Sequence, residues 1–217
     1  VSKGIEWASN EICKVLKSNV PILILTKGLA INNNNYEVLA HKMERLLKKN
    51  GMKETNISAA GGPCLAKNLA NKAHTAVVFA NNDIKIAEKI SKLVSTDYYH
   101  VSTTDDVVGV ETCAAIKNIF SMAVGASQGL CEAKQSKEKN YLNTAAALMQ
   151  ESIYEMITFV EKLKGKKETV IGLAGIGDLY VSADGGRNSK MGEHLGQGMT
   201  FQEAKKTKMA NITVEGA

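Results

Sequence analysis

Two hydrophobic patterns divide the chain. Over residues 1–104 short continuous apolar runs alternate with stretches whose apolar residues recur every three or four positions. Residues 5–16 have helical spacing. The run Pro21, Ile22, Leu23, Ile24, Leu25 and Thr26 is apolar throughout, as expected of a strand buried on both faces, and it ends at a Lys27-Gly28 turn. Residues 36–47 predict an amphipathic helix with Val38, Leu39, Met43, Leu46 and Leu47 inward, closed by Asn50-Gly51. Residues 57–60 predict a strand that Gly61-Gly62-Pro63 turns into a helix. Residues 74–80 predict a strand, 84–94 a helix and 98–102 a last strand. This βαβα rhythm implies an α/β unit, a mainly parallel sheet with helices on its faces.

From residue 105 to about 165 the strand pattern disappears. Long helical stretches rich in Ala, Met and Ile replace it, and Ala114, Ala115, Ala123, Ala145, Ala146 and Ala147 are small enough to let helices approach closely. Lys164-Gly165-Lys166-Lys167 reads as a solvated turn. Shorter helices follow, with Gln197-Gly198 as a stop and Thr200 as the next N-cap. The expected architecture is a partial doubly wound sheet over 1–104 followed by an all-α unit over 105–217. No GxGxxG follows an opening strand. Both chain ends look cut, so the fingerprint is expected upstream of Val1. If the chain is complete, a dinucleotide would lack its phosphate cradle.

Composition narrows the function classes. Aromatic residues make up 5% of the chain, too few for the stacking platforms of single-stranded nucleic-acid binders, and no basic run or binding motif accompanies the net charge of +5. That charge suits an anionic small molecule or a solvated surface equally well. Cys13, Cys64, Cys113 and Cys131 have neither CxxC spacing nor histidine partners, which predicts buried thiols in a reducing compartment and no metal site. The longest apolar stretches, such as Val20 to Leu25, read as far too short to span a bilayer, and no signal peptide is visible.

Polar residues that interrupt apolar helical patterns carry the candidate chemistry. Lys117 sits in Gly109-Val110-Glu111-Thr112-Cys113-Ala114-Ala115-Ile116-Lys117-Asn118. Buried there it would have a lowered pKa unless an acid supported its charge, with Asp178 as candidate partner; alternatively it snorkels from an Ala-rich surface helix. Lys27 directly follows a buried strand, where parallel sheets place ligands, or is a solvated turn lysine. Gly62-Pro63-Cys64-Leu65-Ala66 is a strand-to-helix turn that could meet an anion or be a plain turn. In Gly175-Ile176-Gly177-Asp178-Leu179, Asp178 points inward or caps a helix. Gly185-Gly186-Arg187-Asn188 offers two close backbone amides, a guanidinium fork and amide donors at a helix start, or forms a tight turn capped by Asn188. Glu215 could bond a nicotinamide or a ribose, or is a solvated acid. The ammonium, carboxylate, guanidinium and amide together suit a phosphorylated hydroxy or keto compound.

Read in order, Thr26-Lys27-Gly28, Gly62-Pro63, Gly109-Val110-Glu111, Lys117-Asn118, Gly175 to Leu179, Arg187-Asn188 and Val214-Glu215-Gly216 resemble the NAD(P)-dependent glycerol-3-phosphate dehydrogenases over nearly the whole chain. The resemblance implies that residues 1–104 are the C-terminal part of a dinucleotide-binding Rossmann domain and residues 105–217 a helical catalytic and substrate-binding domain. It implies a cytoplasmic homodimer that interconverts glycerol 3-phosphate and dihydroxyacetone phosphate with NAD or NADP, feeding glycerophospholipid synthesis. Lys117 would be the catalytic lysine, Lys27 a second lysine near substrate and cofactor, and Asp178 the supporting acid. Gly62, Cys64, Asn118, Ser182, Gly186, Arg187 and Asn188 would line the substrate site. Lys27, Ala66, Arg187, Thr213 and Glu215 would touch cofactor. The chain departs from the family at Cys64, where bacterial members usually carry Ser, at Ser182, where many carry Thr, and at Gly186, where Ser often precedes the arginine. The segment from Asp178 to Arg187 is closer to the eukaryotic length. Rival readings are another two-domain dehydrogenase acting on a hydroxy acid and a non-catalytic helical binding protein.

Overall fold

In the computed structural model, which describes residues 4–17, 19–133 and 142–214, the apolar runs of the first half assemble one sheet. Strands β1 (Ile22–Ile24), β4 (Ile57–Gly61), β5 (Thr75–Ala80) and β6 (Tyr99–Thr104) lie in the order β1-β4-β5-β6. β1 pairs with β4 and β5 with β6 in parallel, whereas β4 and β5 run antiparallel, with Ala59 opposite Ala80. The sheet is therefore parallel in two of its three pairings. Helices α1 (Gly4–Val15), α2 (Leu39–Lys49), α3 (Ala66–Ala70) and α4 (Ile84–Val94) connect and flank it. α4 matches the expected span, and Asp83 caps it by accepting from the Lys85 N–H at 3.1 Å.

The expected helix over 36–47 is half right. Tyr36, Glu37 and Val38 belong to strand β3 (Asn35–Val38), which pairs antiparallel with β2 (Leu29–Asn32) before α2 begins at Leu39. Asn33 and Asn34 both take positive φ, 49° and 62°, so two asparagines make the two-residue turn that a right-twisted hairpin requires. Tyr36 has apolar neighbours at helical spacing in sequence, but its ring packs against Phe159, centroids 5.7 Å apart.

The second half is built on α5 (Val107–Ala133), against which α6 (Leu142–Lys162), α8 (Asp178–Ala183) and α9 (Arg187–Gly196) pack. α5 is long and apolar enough to cross a bilayer by length and composition, yet 61% of its most apolar window is buried, which marks it as a core helix. One hydrophobic cluster unites the two halves. It runs from Leu39, Met43 and Leu47 of α2 through Ile57 and Ala59 of β4 to Val110, Cys113 and Ile116 of α5 and Met156 and Val160 of α6.

α5 and α9 meet almost backbone to backbone. A Cβ on Gly125 or Gly129 would stand 2.0 or 1.9 Å from the carbonyl oxygens of Ser189 and Glu193. A Cβ on Gly192 or Gly196 would stand 2.0 or 2.1 Å from those of Met122 and Ala126. Two glycines four residues apart on each helix thus remove the side chains that would hold the axes apart. α7 (Lys167–Val170), a π-helical turn (Leu173–Gly177) and α10 (Phe201–Thr207) complete the unit. Thr200 caps α10 as expected, in a reciprocal capping box with Glu203.

Candidate functional site

Lys117 emerges from the middle of α5 into the fold. It is 6% exposed, which removes the snorkelling alternative. Its Nζ donates to Asp178 Oδ1 and, at 2.7 Å, to Ser182 Oγ. Asp178 is the first residue of α8 and is 3% exposed. The π-helical turn delivers it there. The Gly177 N–H reaches back to the Gly172 carbonyl at 3.2 Å, and a side chain on Gly175 would run into the Val170 carbonyl. The glycines that read as a loop therefore form a wide, close-packed helical turn, and Asp178 faces inward.

The other Asp178 oxygen, Oδ2, accepts from Lys27 Nζ at 3.0 Å. Lys27 lies just beyond the carboxyl end of β1, so one carboxylate joins the sheet to both α5 and α8. Ser182 closes the arrangement by donating its single proton to the Asp178 carbonyl oxygen at 2.7 Å while its lone pair receives Lys117.

Burial, against the opposing pull of the Asp178 carboxylate and with the Lys27 charge adding to it, lowers the Lys117 ammonium to about 8. Cys64 feels the same centre. Partial burial and the Asp178 charge raise its thiol, and Lys27 lowers it. Two ammonium groups share one carboxylate, so the cluster carries a net positive charge into the cavity beside it.

That cavity encloses about 820 Å³. Lys27, Cys64, Lys117, Asn118, Asp178, Ser182, Gly186, Arg187 and Asn188 all line it, nine of the residues singled out from sequence. Arg187 and Asn188 open α9, whose N-cap, Gly186, has no side-chain cap of its own. A Cβ on Gly186 would meet the Ser182 carbonyl at 2.2 Å, so only glycine lets α9 start against α8. Asn188 lies inside the helix and is buried, not capping a turn.

Other sequence candidates fall elsewhere. Gly62 has φ of 113°, and a side chain there would press on the Val77 backbone, so this glycine serves sheet packing and does not line the cavity. Ala66 opens α3, exposed and off the cavity wall, and Thr213 is exposed near the end of the described chain. Glu215 lies outside the described residues.

Sequence reading missed Ser121, which is fully buried and lines the cavity one turn beyond Lys117. The i, i+4 spacing from Lys117 was the available signal. Sequence reading gave no individual site role to Leu25, Thr26 or Leu65, which stand in segments read from the sequence and line the cavity. Among the described residues no three His, Cys, Asp or Glu side chains are grouped to hold a metal ion.

Fold and site together have the build of a two-part dehydrogenase, in which strand ends of an α/β layer face a helical layer across a lysine–aspartate centre. The family model for the NAD-dependent glycerol-3-phosphate dehydrogenase N-terminus matches residues 1–87, and that for the C-terminus matches residues 106–217. The chain belongs to this family. It is 33% identical over 183 residues to the NADP(+)-dependent glycerol-3-phosphate dehydrogenase of Archaeoglobus fulgidus, covering 84% of this chain and 53% of that protein. It is 34% identical over 215 residues to the glycerol-3-phosphate dehydrogenase [NAD(P)+] of Clostridium tetani, covering 96% and 57%. The chain thus spans little more than half the length of these curated relatives. The solved glycerol-3-phosphate dehydrogenase of Coxiella burnetii superposes with a TM-score of 0.78 at 27% identity, over 98% of this chain and 61% of that one. The Plasmodium falciparum glycerol-3-phosphate dehydrogenase gives 0.81 at 21% identity over 99% and 58%, a likeness of fold alone.

Proposed function

We propose that the protein carrying this chain interconverts glycerol 3-phosphate and dihydroxyacetone phosphate with NAD or NADP. The buried Lys117–Asp178 pair facing the cavity carries this reading. An ammonium whose pKa burial has lowered can both donate and recover a proton at a substrate oxygen. In the reducing direction Lys117 polarises the ketone oxygen and protonates it as it becomes an alcohol. In the oxidising direction the neutral amine takes that proton back. Asp178 and Ser182 hold the Nζ in one place for both directions. Lys27 adds a second positive charge beside the developing alkoxide.

Arg187, Asn188 and the N-terminus of α9 form the site for the phosphate dianion, which fixes the reacting carbon against Lys117. The wall opposite supports a nicotinamide. Leu25 and Leu65 are 69% and 52% exposed, and both line the cavity beside the polar cluster, giving an apolar face to an aromatic ring. Leu23, Leu25, Thr26 and Leu65 would hold that ring, and when bound it supplies and takes back the hydride. The names of the relatives and the match of residues 1–87 to the N-terminal family model support the dinucleotide.

The reading extends to organisation. Residues 1–104 are the dinucleotide-binding unit and 105–217 the catalytic and substrate unit, supported by the start of the long core helix at Val107. The protein works as a cytoplasmic homodimer supplying glycerophospholipid synthesis. None of the four cysteines is in a disulfide, which supports a reducing compartment, although Cys113 and Cys131 are buried as expected and Cys13 and Cys64 are not, and light scattering tests the dimer. The deciding assay follows oxidation of NADH and NADPH by the protein as encoded, with and without dihydroxyacetone phosphate. Substrate-dependent oxidation that Lys117→Ala abolishes is the expected result. No oxidation with either cofactor by the folded protein sinks the reading.

A further inference from the structure

Glu111 is a buried acid that the proposed chemistry does not use. It is 5% exposed, lies on α5 two turns before Lys117, and reaches out of the helical half into the sheet half. Its Oε2 accepts from the Ala40 N–H at 2.8 Å, across 71 residues of sequence and in a buried setting. Ala40 is the second residue of α2. That helix has no acidic residue in its first turn, and Val38 at its N-cap provides no side-chain cap. The orphan amides at the start of α2 therefore find their carboxylate on another element.

The position of that tie matters because of the hairpin. β3 runs straight into α2, and Leu29 pairs with Val38. The residues just before Leu29, Gly28 and Lys27, thus leave the hairpin base beside the start of α2. Gly28 has φ of 137°, a conformation that favours glycine, where the chain turns from β1 into the hairpin. β1 itself ends at Ile24. The hairpin base leads directly to Lys27, and the Glu111–Ala40 bond ties the start of α2 to α5 at that base, beside the apolar cluster that Leu39 and Met43 share with Val110 and Cys113.

We propose that Glu111 is a positioning residue: by holding the start of α2 against α5 it sets where Lys27 stands relative to Lys117 across Asp178. One rigid helix then carries one lysine of the centre and anchors the segment that carries the other. The inference rests on the reading of these three residues as the reacting centre. Burial raises the Glu111 carboxyl to about 7, with the Ala40 N–H opposing, so an acid stays at this place against a desolvation cost.

The test measures kcat and KM for dihydroxyacetone phosphate, with thermal midpoints, in the protein as encoded and in Glu111→Gln, Glu111→Ala, Glu111→Asp, Lys27→Met and Glu111→Ala with Lys27→Met. Gln keeps an acceptor at the same reach and stays within about threefold of the parent, whereas Ala lowers kcat by about tenfold or more through misplacement of Lys27. In the Lys27→Met background the further loss from Glu111→Ala shrinks to about twofold or less, because both changes act through one residue. Where Glu111→Ala does not fold, Glu111→Asp, whose shorter arm withdraws the acceptor, stands in for it in the cycle. A variant that melts earlier but keeps the parent kcat, or two losses that multiply in the double variant, overturns the proposal. So does a tenfold loss in Glu111→Gln. An inactive parent overturns the reaction assigned above, which separates the two failures.

Discussion

Replacing Gly192 with alanine perturbs the candidate site without touching a residue that lines it. A Cβ at 192 would stand 2.0 Å from the Met122 carbonyl oxygen and 2.8 Å from the Ala126 amide nitrogen. Both belong to the α5 backbone, so no rotamer change relieves the contact. Real Cβ contacts do not fall below 3.0 Å, so the two helices must part by about 1 Å at that point. Overpacking of this kind costs about 1–3 kcal/mol. The upper end applies because the neighbours are backbone, and helix propensity returns roughly 1 kcal/mol. A net loss of about 2 kcal/mol lowers the thermal midpoint by about 4–8 °C. Arg187 lies five residues earlier on α9, about 7.5 Å along the axis. A shift near 1 Å is worth up to about 100-fold when it reaches reacting groups, so kcat/KM for dihydroxyacetone phosphate falls roughly 10- to 100-fold, mostly through KM. Gly4→Ala is the control, since a Cβ there meets nothing within 4 Å. An unchanged midpoint together with an unchanged kcat/KM in Gly192→Ala would falsify the claim that this glycine contact places α9.

Three further outcomes can be measured. Because Lys117 titrates near 8, kcat/KM for ketone reduction stays flat at lower pH and falls as pH rises through about 8; alcohol oxidation rises through the same range, and a pH profile lacking that inflection removes Lys117 from the proton step. The native Glu111 carboxyl titrates near 7 against an ordinary 4.5, so the folded state holds the extra proton between those values and stability falls as pH rises through the window. Denaturant midpoints across that window should lose this slope in Glu111→Gln. Arg187→Ala should raise KM for dihydroxyacetone phosphate by about 10- to 100-fold, the loss of one charge-assisted pair, while the thermal midpoint moves by less than about 2 °C.

How much of this was legible depended on whether the cause was local. β1, β4, β5, β6 and α4 follow from continuous apolar runs and a capped amphipathic stretch, and each lies close to its expected span. Tyr36 to Val38 went the other way because their fate depends on pairing with Leu29 to Ile31, which helical spacing cannot show. Four consecutive asparagines, Asn32 to Asn35, were the available hairpin signal. The antiparallel β4–β5 pair had no sequence signature at all. The gathering of Lys27, Lys117, Asp178, Ser182 and Arg187 around one cavity followed from motif order and resemblance, because those residues lie on four separate elements. Periodicity alone left Lys117 open between a buried position and a surface one. The packing of α8 against α5 decides its burial, and the glycines of the turn that delivers Asp178 to α8 read locally as a loop.

The charge balance of the site argues for the phosphorylated substrate over a simple hydroxy acid. A buried ion pair alone is a weak source of stability, since desolvation takes back most of its attraction. Here the imbalance goes further, because Lys27 and Lys117 share one carboxylate and Arg187 adds a third positive charge on another helix. Asp178 is the one acid among the described residues that line the cavity. A cavity lined by these cations suits an anion. A 2-hydroxy acid carries its single carboxylate directly on the reacting carbon, so its charge and its reacting oxygen lie within one short fragment. In dihydroxyacetone phosphate the dianion is separated from the ketone by a methylene and an ester oxygen. That molecule needs two cationic groups on different elements, one for the phosphate at the start of α9 and one for the oxygen at Lys117, and the chain supplies both.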